Sequence, residues 1–147
     1  MLSVDTNILL PAVNEDHKSH GAAAAYIESL DGREDVAISE FILLELYGLL
    51  RNPAVMQNPL GAHTAAQVCE AFRAHPSWQL VGFPPDSRAF HDQLWPLLRE
   101  KAFARRRAYD LRAALSLIQN GVTEFATINV KDFEGVGFAR VWNPLAG

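Results

Sequence analysis

The most constraining feature of this 147-residue chain is the alternation of two kinds of apolar segment. Short runs of strand length lie at Leu2–Val4, Val36–Ile38, Trp78–Phe83, Glu124–Thr127 and Arg140–Trp142. Between them lie longer segments, over 17–30, 39–50, 62–74, 87–100 and 108–120, whose apolar residues recur at helical spacing. Leu111, Ala114, Leu115 and Ile118 make the clearest such stripe, with Gly121 placed to end its helix. Ser39 is a good N-cap for a helix that Asn52 and Pro53 stop near Leu50, and Pro96 is expected to kink the segment that holds it. Strands alternating with helices imply an α/β fold with a mostly parallel sheet covered on both faces. The length fits one domain over residues 1–147.

In such a sheet, functional groups gather at the carboxyl ends of the strands. Asp5 closes the first strand. Glu45 interrupts the apolar run Phe41–Leu50, and its neighbours one turn away, Phe41, Ile42, Gly48 and Leu49, are all non-polar. A carboxylate facing a core is costly unless paired or bound to a metal. Asp110 opens the last long helix, and Asn129 and Asp132 follow the fourth strand. Taken singly, Asp5 reads equally well as a helix cap, while Asp110 reads first as a helix-dipole partner and Asp132 as a cap or turn residue. Taken together, they fall where a parallel sheet brings its strand ends to one place. Clustered carboxylates repel, so divalent cations or protonation must offset them. An oxygen-only set suits Mg²⁺ or Mn²⁺.

Charge is compatible with that reading. The chain has 13 Lys and Arg against 17 Asp and Glu, a net charge of −4, which argues against a sequence-reading DNA-binding module. Setting aside the four clustered acids leaves 13, matching the bases. The single Cys69 excludes an internal disulfide framework and a Cys-rich zinc site, and the five histidines show no zinc-protease spacing. The start has no basic segment before its apolar run, and no apolar run approaches the ~20 residues of a membrane helix. The expectation is a soluble, cytoplasmic chain.

The ordered set Val4-Asp5-Thr6-Asn7, Glu45 in an apolar helix, Asp110 at a helix start, Thr127-Ile128-Asn129-Val130-Lys131-Asp132-Phe133 and Val141-Trp142-Asn143-Pro144-Leu145 resembles a PIN domain. More narrowly, it resembles the VapC ribonuclease toxins of toxin–antitoxin modules, over nearly the whole chain. The resemblance implies a three-layer α/β/α sandwich, a metal-dependent RNA endonuclease, a VapB-type antitoxin and a homodimer. It places Asp5, Glu45 and Asp110 on the three firm acidic positions and Asn129 on the fourth, leaving open whether Asp132 supplies the missing carboxylate. Asp5 and Asp110 would hold the metal, Glu45 would orient water or hold a second ion, and Thr6 and Asn129 would bind water or phosphate at the rim.

Arg105, Arg106, Arg107 and Arg112 crowd the approach to Asp110. They read either as an RNA-backbone groove or as a solvated loop, and antitoxin acids can also dock there. Phe90, Leu94, Leu97 and Leu98 suggest a dimer face. Two other readings stand beside the toxin: an RNA-processing nuclease outside a toxin module, and a catalytically silent PIN-like interaction module, which Asn129 in an acidic position favours.

Overall fold

The structure, a computed structural model, describes residues 1–99, 105 and 107–146. Five strands, β1 (Leu2–Val4), β2 (Val36–Ser39), β3 (Gln79–Val81), β4 (Glu124–Ala126) and β5 (Arg140–Trp142), form one sheet in the order β3-β2-β1-β4-β5. Every pairing is parallel, with Val4 opposite Ala126 and Ser3 opposite both Ala37 and Phe125. The helices are α1 (Thr6–Val13), α2 (His20–Ser29), α3 (Glu40–Leu50), α4 (Ala62–Arg73), α5 (Ser87–Leu98), α6 (Arg107–Gln119) and the short α7 (Val130–Phe133). This is the three-layer α/β/α sandwich. The expectation of a mostly parallel sheet is met by a wholly parallel one.

Local chemistry sets the element ends. Ser39 Oγ accepts the Phe41 and Ile42 amides at 3.2 and 3.5 Å, capping α3 as its sequence position suggests. Gly121, at φ +90°, ends α6: its amide donates to the Ile118 carbonyl and the Val122 amide to that of Leu117. That paired arrangement needs a left-handed residue and explains the glycine. The helix-cap reading of Asp5 holds, and the apolar run 8–13 follows it. It is the body of α1, whose N-cap is Asp5, and it packs on α2 and α3.

Leu2, Val4, Val36, Ile38, Phe125 and Ala126 are buried at the centre of the sheet, and helix residues such as Ile8, Leu46 and Leu117 complete the main core. A second cluster joins Phe90 and Leu94 of α5 to Leu111 and Leu115 of α6. This corrects half of the expected dimer face: Phe90 is 1% exposed and Leu94 is also buried, both packed on α6 within the chain, while Leu97 stays exposed. Among the described residues, no helix is long and apolar enough to cross a membrane.

Candidate active site

The sheet order places the site. From β1 the chain passes to β2 and β3 on one side, while β4 and β5 lie on the other, so strand order reverses between β1 and β4. A crevice forms outside the carboxyl ends of strands at such a point. Asp5 follows β1 and Thr127 follows β4 there, and the two are joined across 122 residues: Thr127 Oγ1 donates to Asp5 Oδ2 at 2.7 Å. Asp5 Oδ1 accepts the Thr6 amide at 2.7 Å. Asn7 braces the same junction, its Oδ1 accepting the Ile128 amide at 3.2 Å and its Nδ2 donating to Thr127 Oγ1 at 3.2 Å.

A cleft of about 490 Å³ opens over this junction. Asp5 and Asn129 come from the β1 and β4 ends, Glu45 from α3, and Asp110 from the first turn of α6. Three of the four expected catalytic acids therefore line one cleft. Asp132 does not line it. It lies exposed on α7, one turn beyond Asn129, and acts on the site through its charge, which raises the Asp110 pKa.

Glu45 differs from expectation in its surroundings. Its side chain does not face the core; it is open to solvent on the cleft side and crowded by protein elsewhere. The Glu45 carboxyl is pushed up to about 7, first by that crowding and then by the charges of Asp5 and Asp110. Asp5 is raised to about 6, chiefly by burial, against the lowering effect of the Thr127 and Thr6 hydrogen bonds. Asp110 is raised by burial and by Asp132, while Arg107 lowers it. Thr6, expected at the rim, is buried, and its Oγ1 sits near Glu45 with no hydrogen-bond partner at bonding distance. Asn129 does lie exposed on the wall; its amide donates to Thr127 Oγ1 at 3.1 Å.

The expected arginine groove resolves unevenly. Arg112 lines the cleft, its guanidinium 4.6 Å from the Phe41 ring centroid and 5.4 Å from that of Tyr109. Arg107 donates to the Asp132 carbonyl. Arg105 is exposed, and Arg106 lies outside the described residues.

Among the described residues, no three Asp, Glu, His or Cys side chains stand close enough together to hold a metal ion between them. The donor set nonetheless fits an open site for a hard cation. Its donors are carboxylate and amide oxygens, and the raised pKa values of Asp5 and Glu45 record repulsion and burial that a cation would relieve. Mg²⁺ in particular takes one or two carboxylates and fills the rest of its octahedron with water and phosphate oxygens.

Sequence reasoning missed Thr127 as the residue holding Asp5, and Phe41 and Tyr109 as wall residues. Thr127 carried a signal, since it ends the fourth strand as Asp5 ends the first. The aromatic wall had none, because helical spacing does not tell an apolar cleft wall from core.

No protein-family model matches the chain. It is 48% identical over 145 residues to Ribonuclease VapC24 of Mycobacterium tuberculosis, in both strain CDC 1551 and strain H37Rv, covering 99% of this chain and 97% of each relative. Its fold matches that of M. tuberculosis VapC20, described as a sarcin-ricin loop cleaving toxin, with TM-score 0.68, 19% identity and coverage of 95% and 97% of the two chains. It also matches VapBC2 of Rickettsia felis bound to a promoter DNA fragment, with TM-score 0.64, 18% identity and coverage of 97% and 98%. Near-complete alignment at 48% identity, on a PIN-like sandwich with its acidic cleft at the strand-order reversal, means that the chain belongs to the VapC family of ribonucleases.

Proposed function

We propose that this chain is a metal-dependent endoribonuclease acting as the toxin of a VapBC-type pair, with a cognate VapB-type antitoxin as partner and a homodimer as its assembly. The observation that carries the reading is the convergence of Asp5, Glu45 and Asp110 on one cleft in a chain so similar to a ribonuclease. Retention of three acids there favours the nuclease over a silent interaction module, even with Asn129 in the fourth position. Family membership favours the toxin over an RNA-processing enzyme.

Asp5 and Asp110 would hold Mg²⁺ or Mn²⁺. Bound there, such an ion polarises a phosphodiester and makes a water more acidic. Thr127 and the Thr6 amide fix both oxygens of Asp5, so one orientation of that carboxylate is presented to the cleft. Glu45, open to solvent on the cleft side and facing the same cleft as Asp5 and Asp110, is placed to take a proton from water. As the water oxygen bonds to phosphorus and the P–O bond to the leaving nucleotide breaks, that proton is held at the Glu45 carboxylate. The Asn129 side-chain amide and the Arg112 guanidinium, both on the cleft wall, supply donors for phosphate oxygens.

The test is cleavage of a labelled RNA. Activity is expected to vanish in EDTA, to return with Mg²⁺ or Mn²⁺, and to be lost in Asp5→Asn and Asp110→Asn, which keep size but remove charge. Undiminished cleavage in chelator, or in both variants, overturns the reading.

A further inference from the structure

The cleft does not end at the carboxylates. Phe41 and Arg112 form one wall, and the same two residues also line a second cavity of about 330 Å³, together with Phe83, Ser87, Phe90 and His91. That volume lies at the lower end of the ~300–1,000 Å³ common to small-ligand sites. Phe83 is 86% exposed, yet its ring is held edge-on to Phe41, centroids 5.5 Å apart at 89°. It stands between β3 and the Pro84-Pro85 pair, whose fixed φ angles limit how far the segment can move. Arg112 stacks over Phe41, and its Nε is buried without an acceptor. A buried N–H left unpaired is costly, so a site that keeps one has a use for an acceptor there.

We propose that this second cavity is a nucleobase subsite, which takes the base of the nucleotide next to the phosphodiester held over Asp5, Glu45 and Asp110. The proposal rests on the nuclease reading above and adds what the enzyme grips besides the phosphate. The base stacks on the exposed Phe83 ring with Phe41 closing the cavity at right angles to it, and Arg112 spans base cavity and phosphate cleft. Single-stranded RNA is recognised in this way, with splayed bases laid on aromatic rings or guanidinium planes. Paired bases inside a duplex are not available for it, so the RNA must be single-stranded at the cut. His91 adds an edge contact: its Nδ1–H donates to the Ser87 carbonyl at 2.7 Å, which leaves Nε2 for the edge of a base. Continuity with the carboxylate cleft, through two shared residues, favours a nucleotide over a protein side chain as the occupant.

The experiment uses the full chain and two readouts. The first is the emission of a short single-stranded oligoribonucleotide carrying a fluorescent adenine analogue, bound to the Asp110→Asn variant so that it is not cut. Stacking is expected to quench it, with the quench lost when Phe83→Ala is added and kept with Phe83→Trp. The second is cleavage, on a wild-type background, of the same RNA in base-bearing and abasic forms. Phe83→Ala is expected to lower kcat/KM for the base-bearing form, through KM, by on the order of five- to a hundredfold, the range that loss of one stacked base implies. The abasic form is cut equally by both proteins. Unchanged quench with equal cleavage of base-bearing RNA overturns the subsite and leaves the nuclease reading intact. Quenching with no cleavage by the wild-type chain in either Mg²⁺ or Mn²⁺ upholds the base site and overturns the nuclease reading. A Phe83→Ala change in molecular mass by light scattering, with quench and base dependence unmoved, assigns Phe83 to a protein surface and overturns the subsite.

Discussion

Thr127 is fully buried, and its hydroxyl is committed on every side: it donates to Asp5, and it accepts from the Asn129 amide and from Asn7 Nδ2. Through that atom the β4 end sets both the orientation of Asp5 and the position of Asn129. The same geometry separates the two candidates for the fourth site position. A charged oxygen binds a hard cation better than an amide does, and on that ground the sequence favours Asp132. The structure puts Asn129 on the cleft wall and Asp132 off it, because residues 130–133 wind into α7 and carry Asp132 around the turn. Asn129→Ala is therefore expected to cut cleavage by tenfold or more, and Asp132→Asn by only a few-fold, through the charge it presents to Asp110. Side-by-side kcat/KM values decide it, and a larger loss in Asp132→Asn would return the ligand role to that residue.

At the scale of elements, the pairing of α5 with α6 carries the clearest energetic consequence. Phe90 is enclosed by Leu94, Leu111 and Leu115, so Phe90→Ala leaves a cavity and is expected to cost about 3–5 kcal/mol. Denaturant titration measures that cost. A change in oligomeric state with little loss of stability would instead restore the dimer-face reading. The error in that reading has a plain source: an amphipathic stripe says that a helix buries one face, not what buries it. The elements themselves were legible. The bounds of β1 and β5 match their apolar runs, and Ser39 and Gly121 mark helix ends because capping chemistry is local. α1 was not legible, since the six residues 8–13 are too short for helical periodicity to separate from strand, and its start is fixed by the Asp5 cap. The acids of the site were found by their place in the strand–helix order. Their exposure, and the aromatic wall beside them, depend on how α3, α5 and α6 lie against one another, which no local pattern encodes.

Across the whole molecule, the cleft works against stability when no cation fills it. Asp5 at about 6 and Glu45 at about 7 stand above their ordinary values of 3.8 and 4.5, and Asp110 is raised as well. Between pH about 4 and 7 the folded chain therefore holds protons that the unfolded chain has released, and stability falls as pH rises through that window. Below it the contribution is fully present. For Asp5 the loss is on the order of 3 kcal/mol once the pH is above 7. The melting temperature in EDTA is expected to drop between pH about 5 and 8, to drop less in Asp5→Asn, and to be recovered by Mg²⁺. Equal slopes for wild type and Asp5→Asn would show that Asp5 is not destabilised by its burial.

The hydrogen bond from Thr127 to Asp5 also has a meaning in time. β1 is made first, yet it is a central strand and waits for β4 on one side. A ribosome adds roughly 5–20 residues per second, so Asp5 emerges on the order of ten seconds before the hydroxyl that holds it. A chain stalled between residues 110 and 124 has Asp5, Glu45 and Asp110 but neither Thr127 nor Asn129, and so no finished cleft. The ordering of strands in the sheet thus acts as a delay: a nascent chain has no finished acidic cleft until β4 has been made and laid beside β1.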